Sequence, residues 1–209
     1  MIPSEAAPNT SLVLASRNAG KLAELRRILG SGYTLVGLPE SAADVAETGA
    51  TFEENALLKA HAAVAETGLA AVADDSGLTV DALNGMPGVL SARWSGLPAE
   101  EPTRDLANLQ LVLAQLRETP PERRGAGFVC AAAVAFADGR SYVVRGEMRG
   151  VLIDAPRGSG GFGYDPIFVP EGGSLTTAEL TPAEKDAISH RGRAFRALVA
   201  KLPELLERS

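Results

Sequence analysis

The 209-residue chain has a single cysteine, Cys130, so no internal disulfide can form. At this length a full-sized core is available and no covalent staple is needed. Histidine is nearly as scarce. His61 and His190 are the only two, and with one cysteine they argue against a His/Cys zinc site. The longest apolar run, about Phe128 to Ala137, is too short to span a bilayer. Met1 to Thr10 lacks a basic n-region and an apolar h-region, so it reads as a flexible leader and not as a signal peptide. Positive charge is also in deficit: 20 Lys and Arg against 26 Asp and Glu leave −6. That balance disfavours a nucleic-acid groove, and any anionic ligand has to be met by a local cluster of basic residues or by a metal. What remains, with 45% apolar residues, is a globular chain suited to a reducing cytoplasm, with neither membrane nor nucleic acid as partner.

The pattern along the chain is α/β. Ser11 to Ala15 and Thr34 to Leu38 read as strands, with a helix over Lys21 to Leu29 between them. Thr51 and Glu54 form a capping-box signature before an Ala-rich helix that Gly68 closes. Leu69 to Ala73 reads as a strand ending in Asp74-Asp75-Ser76-Gly77. Leu106, Leu109, Leu113 and Leu116 mark one helical face over Glu101 to Glu118. Asp138-Gly139 separates two strand-like runs and predicts a hairpin, which makes the sheet mixed. Thr181 to Glu184 gives a second capping box with Pro182 at the first helical position. A last helix starts near Ser189 and is expected to break or bend at Pro203.

Four segments carry candidate chemistry. Ser16-Arg17-Asn18-Ala19-Gly20-Lys21 joins a strand to a helix, where amides and a lysine suit an anion. It is not a Walker A loop, because Ala15 and Leu22 stand where Gly and Ser or Thr are required. Asp74-Asp75-Ser76-Gly77 places two carboxylates after an apolar strand. One is expected to face a cleft while the other braces a turn. Gly158 to Gly163 matches a dinucleotide fingerprint by letter, but Tyr164-Asp165-Pro166 follows and no helix can, so that reading fails. Its aromatics suit a platform for a flat ring, with Phe162 or Tyr164 stacking. His190 and Arg191 gather donors at a helix start, a poor place for cations unless an anionic or carbonyl-bearing ligand comes there; a solvated basic turn is the plainer alternative. His61 and Cys130 read as structural. Together the segments point to a Mg²⁺-dependent enzyme acting on a nucleotide.

In this order the segments closely resemble the inosine/xanthosine triphosphate pyrophosphatase family (dITP/XTP pyrophosphatases, acting on non-standard purine triphosphates). The matching stretches are SRNAGKLAEL from Ser16, TFEENALLKA from Thr51, ADDSGLTVDALNGMPGVLSARWSG from Ala73, GGFGYDPIF from Gly160 and AELTPAEKDAISHRGRA from Ala178. The resemblance covers about Leu12 to Leu202. It implies one pyrophosphatase domain over residues 11–209, and an elongated mixed β-sheet flanked by helices, with two lobes and the active-site cleft between them. It further implies Mg²⁺, a homodimer, and hydrolysis of dITP, ITP, dXTP or XTP to the monophosphate and pyrophosphate. By motif, Ser16, Arg17, Asn18, Ala19, Gly20 and Lys21 cradle phosphates and sugar, and Asp75 is general base and metal ligand. Ser76 contacts substrate; Phe162, Gly163, Tyr164 and Asp165 hold the base with Lys185, His190 and Arg191. Lys59 is a further phosphate contact. Many relatives carry two adjacent acidic residues where this chain has Ala46-Glu47-Thr48-Gly49. Glu47 is the second metal candidate and Asp74 the substitute. Two other readings are a pyrophosphatase for other modified nucleotides, whose Ser-Pro-Arg-Arg-like first loop is absent here, and a catalytically inactive nucleotide-binding regulator.

Overall fold

The structure is a computed structural model that describes residues 10–16, 33–39, 42–98 and 103–207. The leader before Thr10, residues Arg17 to Lys21 of the first loop, and the helix expected over Lys21 to Leu29 lie outside the described residues. Six strands form one mixed sheet in the order β2-β1-β3-β4-β5-β6. They are β1 (Thr10–Leu14), β2 (Tyr33–Gly37), β3 (Ala71–Val80), β4 (Gly125–Ala135), β5 (Ser141–Leu152) and β6 (Phe168–Pro170). β1 is parallel to both β2 and β3, and β5 is antiparallel to β6, so the sheet combines both senses as the hairpin requires. Asp138-Gly139 sits in a three-residue turn: Gly139 takes φ +88°, its N–H donates to Phe136 O, and the Phe136 N–H donates to Arg140 O.

Four helices are described: α1 (Phe52–Thr67), α2 (Arg104–Gln115), α3 (Pro182–Ile188) and α4 (His190–Glu207). By internal contacts the chain divides into two units, each with its own packing. One is Met1–Asp75, Ala131–Arg145 and Gly192–Ser209; the other is Ser76–Cys130 and Gly146–Arg191. In the first, Ala63 of α1 packs with Val13 and Ala71 of β1 and β3. In the second, Leu109 and Val112 of α2, with Leu116 just after it, pack on Leu78, Val80, Phe128, Met148 and Phe168.

The helix signals hold with local differences. At α1 the Thr51 hydroxyl accepts from the Glu54 N–H (3.1 Å), but the Glu54 carboxylate takes the Ala50 N–H (2.6 Å) instead of closing the box on Thr51. Gly68 ends α1 in the left-handed region. At α3 both halves of the capping box form. On α2 the buried face runs through Asn108, Leu109 and Val112, which leaves Leu106 51% exposed, off the face expected for it. α4 continues through Pro203 to Glu207 without the expected break. Pro203 offers no N–H to Val199, yet Leu198 and Leu202 just before it are buried, and beyond it Arg140 Nη1 donates to the Leu205 carbonyl at 3.2 Å. Thr51→Ala should lower unfolding stability by about 1 kcal/mol in urea denaturation. An unchanged midpoint would show that packing alone holds the start of α1.

One correction bears directly on the candidate site. β3 does not end at Asp74. It runs on through Asp75, Ser76 and Gly77 to Val80, so the Asp pair stands within a strand and braces no turn. Gly77 makes this possible: a Cβ there would collide with the Ser91 side chain and the Gly88 carbonyl. Ser91 Oγ accepts from the Leu78 N–H (2.8 Å) and donates to Gly88 O (2.6 Å), which locks the outgoing half of the strand.

Candidate active site

Asp74 and Asp75 are both buried, at 3% and 6% exposure, and successive strand residues face opposite sides of the sheet. Two carboxylates in such a place are costly unless donors meet them. α1 supplies the donors for Asp75. Asn55 and Lys59 are one helical turn apart on one face. Lys59 Nζ donates to Asp75 Oδ1 at 3.0 Å and to Glu47 Oε1 at 3.0 Å. Asn55 Nδ2 donates to Asp75 Oδ2 at 3.1 Å. The structure therefore joins Glu47, Lys59 and Asp75, and places Lys59 as the shared cation of two carboxylates.

The electrostatics follow from that arrangement. Burial pushes the Asp75 carboxyl above its ordinary value; Lys59 pulls it down, and Glu47 pushes it up again. Burial alone would lower the Lys59 ammonium. The carboxylates of Asp75, Glu47 and Asp74 together outweigh it and hold that ammonium above its ordinary range. Lys59 thus lies beside several carboxylates. Hard carboxylate oxygens are the donor chemistry a Mg²⁺ ion takes, so Glu47 and Asp75 fit the metal role, with Asp74 as the substitute. Among the described residues no group of three His, Cys, Asp or Glu side chains is already gathered into a metal cage.

A second cluster belongs to the other unit. Lys185 Nζ pairs with Asp165 Oδ2, and the same oxygen accepts the Phe162 N–H at 2.8 Å. Asp165 Oδ1 accepts from the Thr177 hydroxyl at 2.8 Å. This carboxylate folds the glycine loop: Gly161 has φ +70°, and a Cβ there would strike Asp165. The Gly163 N–H turns to Asp105 Oδ2 of α2 (3.3 Å). Phe162 is left 52% exposed with Lys185 Nζ 5.2 Å from its ring centre. Tyr164 differs from the expectation of a stacking ring. It is 4% exposed, packs in the core, and donates its hydroxyl to Ser91 O at 2.8 Å. Burial raises its phenol well above the ordinary value.

His190 and Arg191 open α4, as expected, but they are buried, so the solvated basic turn does not form. The His190 ring stacks on Phe128, with centroids 5.1 Å apart and planes at 15°. Arg191 Nη2 donates to Ser76 Oγ at 2.9 Å, which brings together two of the expected substrate contacts. Ser16 is partly buried just after β1, and the rest of its loop, Arg17 to Lys21, lies outside the described residues. His61 is exposed on α1 and Cys130 is buried. Sequence reasoning gave no role to Asp105, Ser91 or Asn108. Asn55 was matched only as part of a motif, although its spacing from Lys59 was legible.

Comparison with known proteins follows the same residues. The Ham1 family model matches residues 12–201. A dITP/XTP pyrophosphatase of Frankia alni is 61% identical over 199 residues, covering 93% of this chain and 98% of the relative. One of Streptomyces coelicolor is 58% identical, covering 94% and 99%. Among solved structures, a HAM1 protein from Coxiella burnetii superposes with a TM-score of 0.85 at 42% identity, over 93% of this chain and 99% of that one. A nucleoside-triphosphatase / dITP/XTP pyrophosphatase from Mycobacterium abscessus superposes with a TM-score of 0.75 at 59% identity, over 90% and 98%.

Proposed function

The chain belongs to the Ham1 family, and from that membership we propose that it is a nucleoside-triphosphate pyrophosphatase. Its substrates are the deaminated purine triphosphates dITP, ITP, dXTP and XTP, hydrolysed to the monophosphate and pyrophosphate. The observation that carries this reading is the cluster of Glu47, Lys59 and Asp75 in a chain so close to curated dITP/XTP pyrophosphatases.

Asp75 is the general base. Burial makes it a stronger base than an exposed aspartate, and Lys59 and Asn55 each fix one of its oxygens. A water gives its proton to Asp75 as its oxygen bonds to the α-phosphorus. The bond from that phosphorus to the bridging oxygen breaks, and pyrophosphate leaves with the electron pair. Glu47 and Asp75 would hold Mg²⁺, which when bound supplies positive charge to the triphosphate. Ser16 to Lys21 form the phosphate loop, with Lys21 as its charge, and Lys59 is a further phosphate contact. Phe162 offers the stacking face, Gly163 to Asp165 and Lys185 shape the loop around the base, and Ser76 is held toward substrate by Arg191. His190 and Arg191 supply donors for O6. The resemblance also supports a homodimer in the cytoplasm. Among the described residues no helix is long and apolar enough to cross a membrane.

Product analysis tests the reading. Chromatography of ITP incubated with the protein and Mg²⁺ should show IMP and pyrophosphate in equal amounts. Release of IDP and orthophosphate instead would assign a different phosphoanhydride bond and remove the pyrophosphatase reading.

A further inference from the structure

Asn55 has no exposed surface. A carboxamide in that position carries two N–H donors and an acceptor oxygen, and each end needs a partner of the right kind. Its Oδ1 accepts the backbone N–H of Gly49 at 2.8 Å, and its Nδ2 donates to Asp75 Oδ2 at 3.1 Å. The partners settle which end is which: an amide N–H needs an acceptor and a carboxylate needs a donor. Gly49 lies two residues after Glu47. Its backbone comes so close to the start of α1 that a Cβ would stand 2.7 Å from Glu54 Cβ and 2.8 Å from Asn55 Oδ1. The loop that carries Glu47 is therefore pressed onto a side chain that also grips Asp75.

Lys59 ties the same two segments together at its own level, joining Glu47 to Asp75. Lys59 does so by charge, and an ammonium sets no direction on a carboxylate. Asn55 does so by a planar group with a fixed donor direction. Among the described residues Asn55 is the planar donor that fixes how the Asp75 carboxylate is turned.

We propose that Asn55 is a positioning residue for the hydrolysis: it clamps the Asp75 carboxylate to the Glu47–Gly49 loop and sets the orientation in which Asp75 meets the attacking water. This rests on the pyrophosphatase reading above. The chemical class of the group positioned is a carboxylate base, and the clamp acts on the chemical step rather than on substrate capture.

Asn55→Leu tests it, because the replacement keeps nearly the volume, adds no charge beside Asp75, and removes the donor to Asp75 and the acceptor for Gly49. With ITP and saturating Mg²⁺, kcat should fall about 10- to 100-fold, the usual range for losing a partner that orients a ligand or base, while KM stays within about threefold. Asn55→Ser, smaller and neutral, should give the same split and covers failure of the first variant to fold. A folded variant of either kind with kcat within twofold of the wild type overturns the proposal, and so does a change confined to KM. Hydrogen exchange on the unsubstituted protein reads the clamp directly: the Gly49 amide should be protected, and exchange at the rate of an open amide would overturn it. Wild-type protein that leaves ITP intact would instead defeat the pyrophosphatase reading, a result distinct from either failure of the clamp.

Discussion

Asp75→Asn lowers ITP turnover by at least about 10²-fold and leaves nucleotide binding within a few-fold of the wild type. The size is the lower range for loss of a general base. Binding persists because the substitution keeps the volume, and most of the groups assigned to base and phosphates are other residues: Phe162, Lys185 and Arg191, and the Ser16 to Lys21 segment. Asp75 sits in β3 with one oxygen on Lys59 and the other on Asn55. Asparagine keeps the volume, but its single oxygen accepts from only one of Lys59 and Asn55, and it cannot take a proton from water. Single-turnover rates and a nucleotide titration separate the two quantities. Near-normal turnover at saturating Mg²⁺ would move the base to another residue.

Lys59→Met produces the largest loss of stability. The substitution removes the ammonium 3.0 Å from both Glu47 and Asp75 and leaves two carboxylates facing each other without it. Breaking a buried pair by deleting one partner costs about 3–5 kcal/mol, and since Glu47 keeps 28% of its side chain exposed, the lower end applies. The pH dependence has a definite sign. Asp75 already titrates above its ordinary value of 3.8 because of burial, and losing Lys59 moves it further up. A raised folded-state carboxyl contributes stability at low pH that is lost as pH rises through the raised value. The deficit of the variant against wild type is therefore small near pH 4 and grows toward neutrality. Mg²⁺ should restore melting temperature to the variant more than it raises that of the wild type. Thermal melts at several pH values, with and without Mg²⁺, read both effects; curves that coincide with wild type throughout would show that the ion pairs contribute no stability.

The α/β class, the hairpin at Asp138-Gly139, both helix starts and the closing role of Gly68 were legible because each rests on local chemistry: a cap, a left-handed glycine, a turn. The course of β3 was not. Asp74-Asp75-Ser76-Gly77 looks like a turn in isolation; its place in the sheet between β1 and β4, the donors of α1 and the fit of Ser91 against Gly77 are all long-range. Pro203 shows the same limit: local rules break or bend the helix there, and with Leu198 and Leu202 buried before it α4 runs on to Glu207 without a break. In the site, residue types pointed to Asp75 and Phe162, and Glu47 came from the family resemblance. Tyr164, offered beside Phe162 as a stacking ring, is packed in the core and bonds Ser91, 73 residues away in sequence. The helical spacing of Asn55 from Lys59 was legible, but its role was not, because that depends on Asp75, 20 residues further along the chain.

Hypoxanthine and xanthine present an acceptor at O6, where adenine presents an amino donor. A pocket that aims donors there leaves its own groups unpaired when adenine enters, and sites of this kind discriminate by ~10⁴ or more. Guanine shares O6 and has to be excluded by its 2-amino group. The most direct measurement is the initial rate of pyrophosphate release from ITP, XTP, GTP and ATP under identical conditions. The predicted result is ITP and XTP well ahead of GTP, and GTP ahead of or level with ATP; turnover of ATP within tenfold of ITP would contradict it.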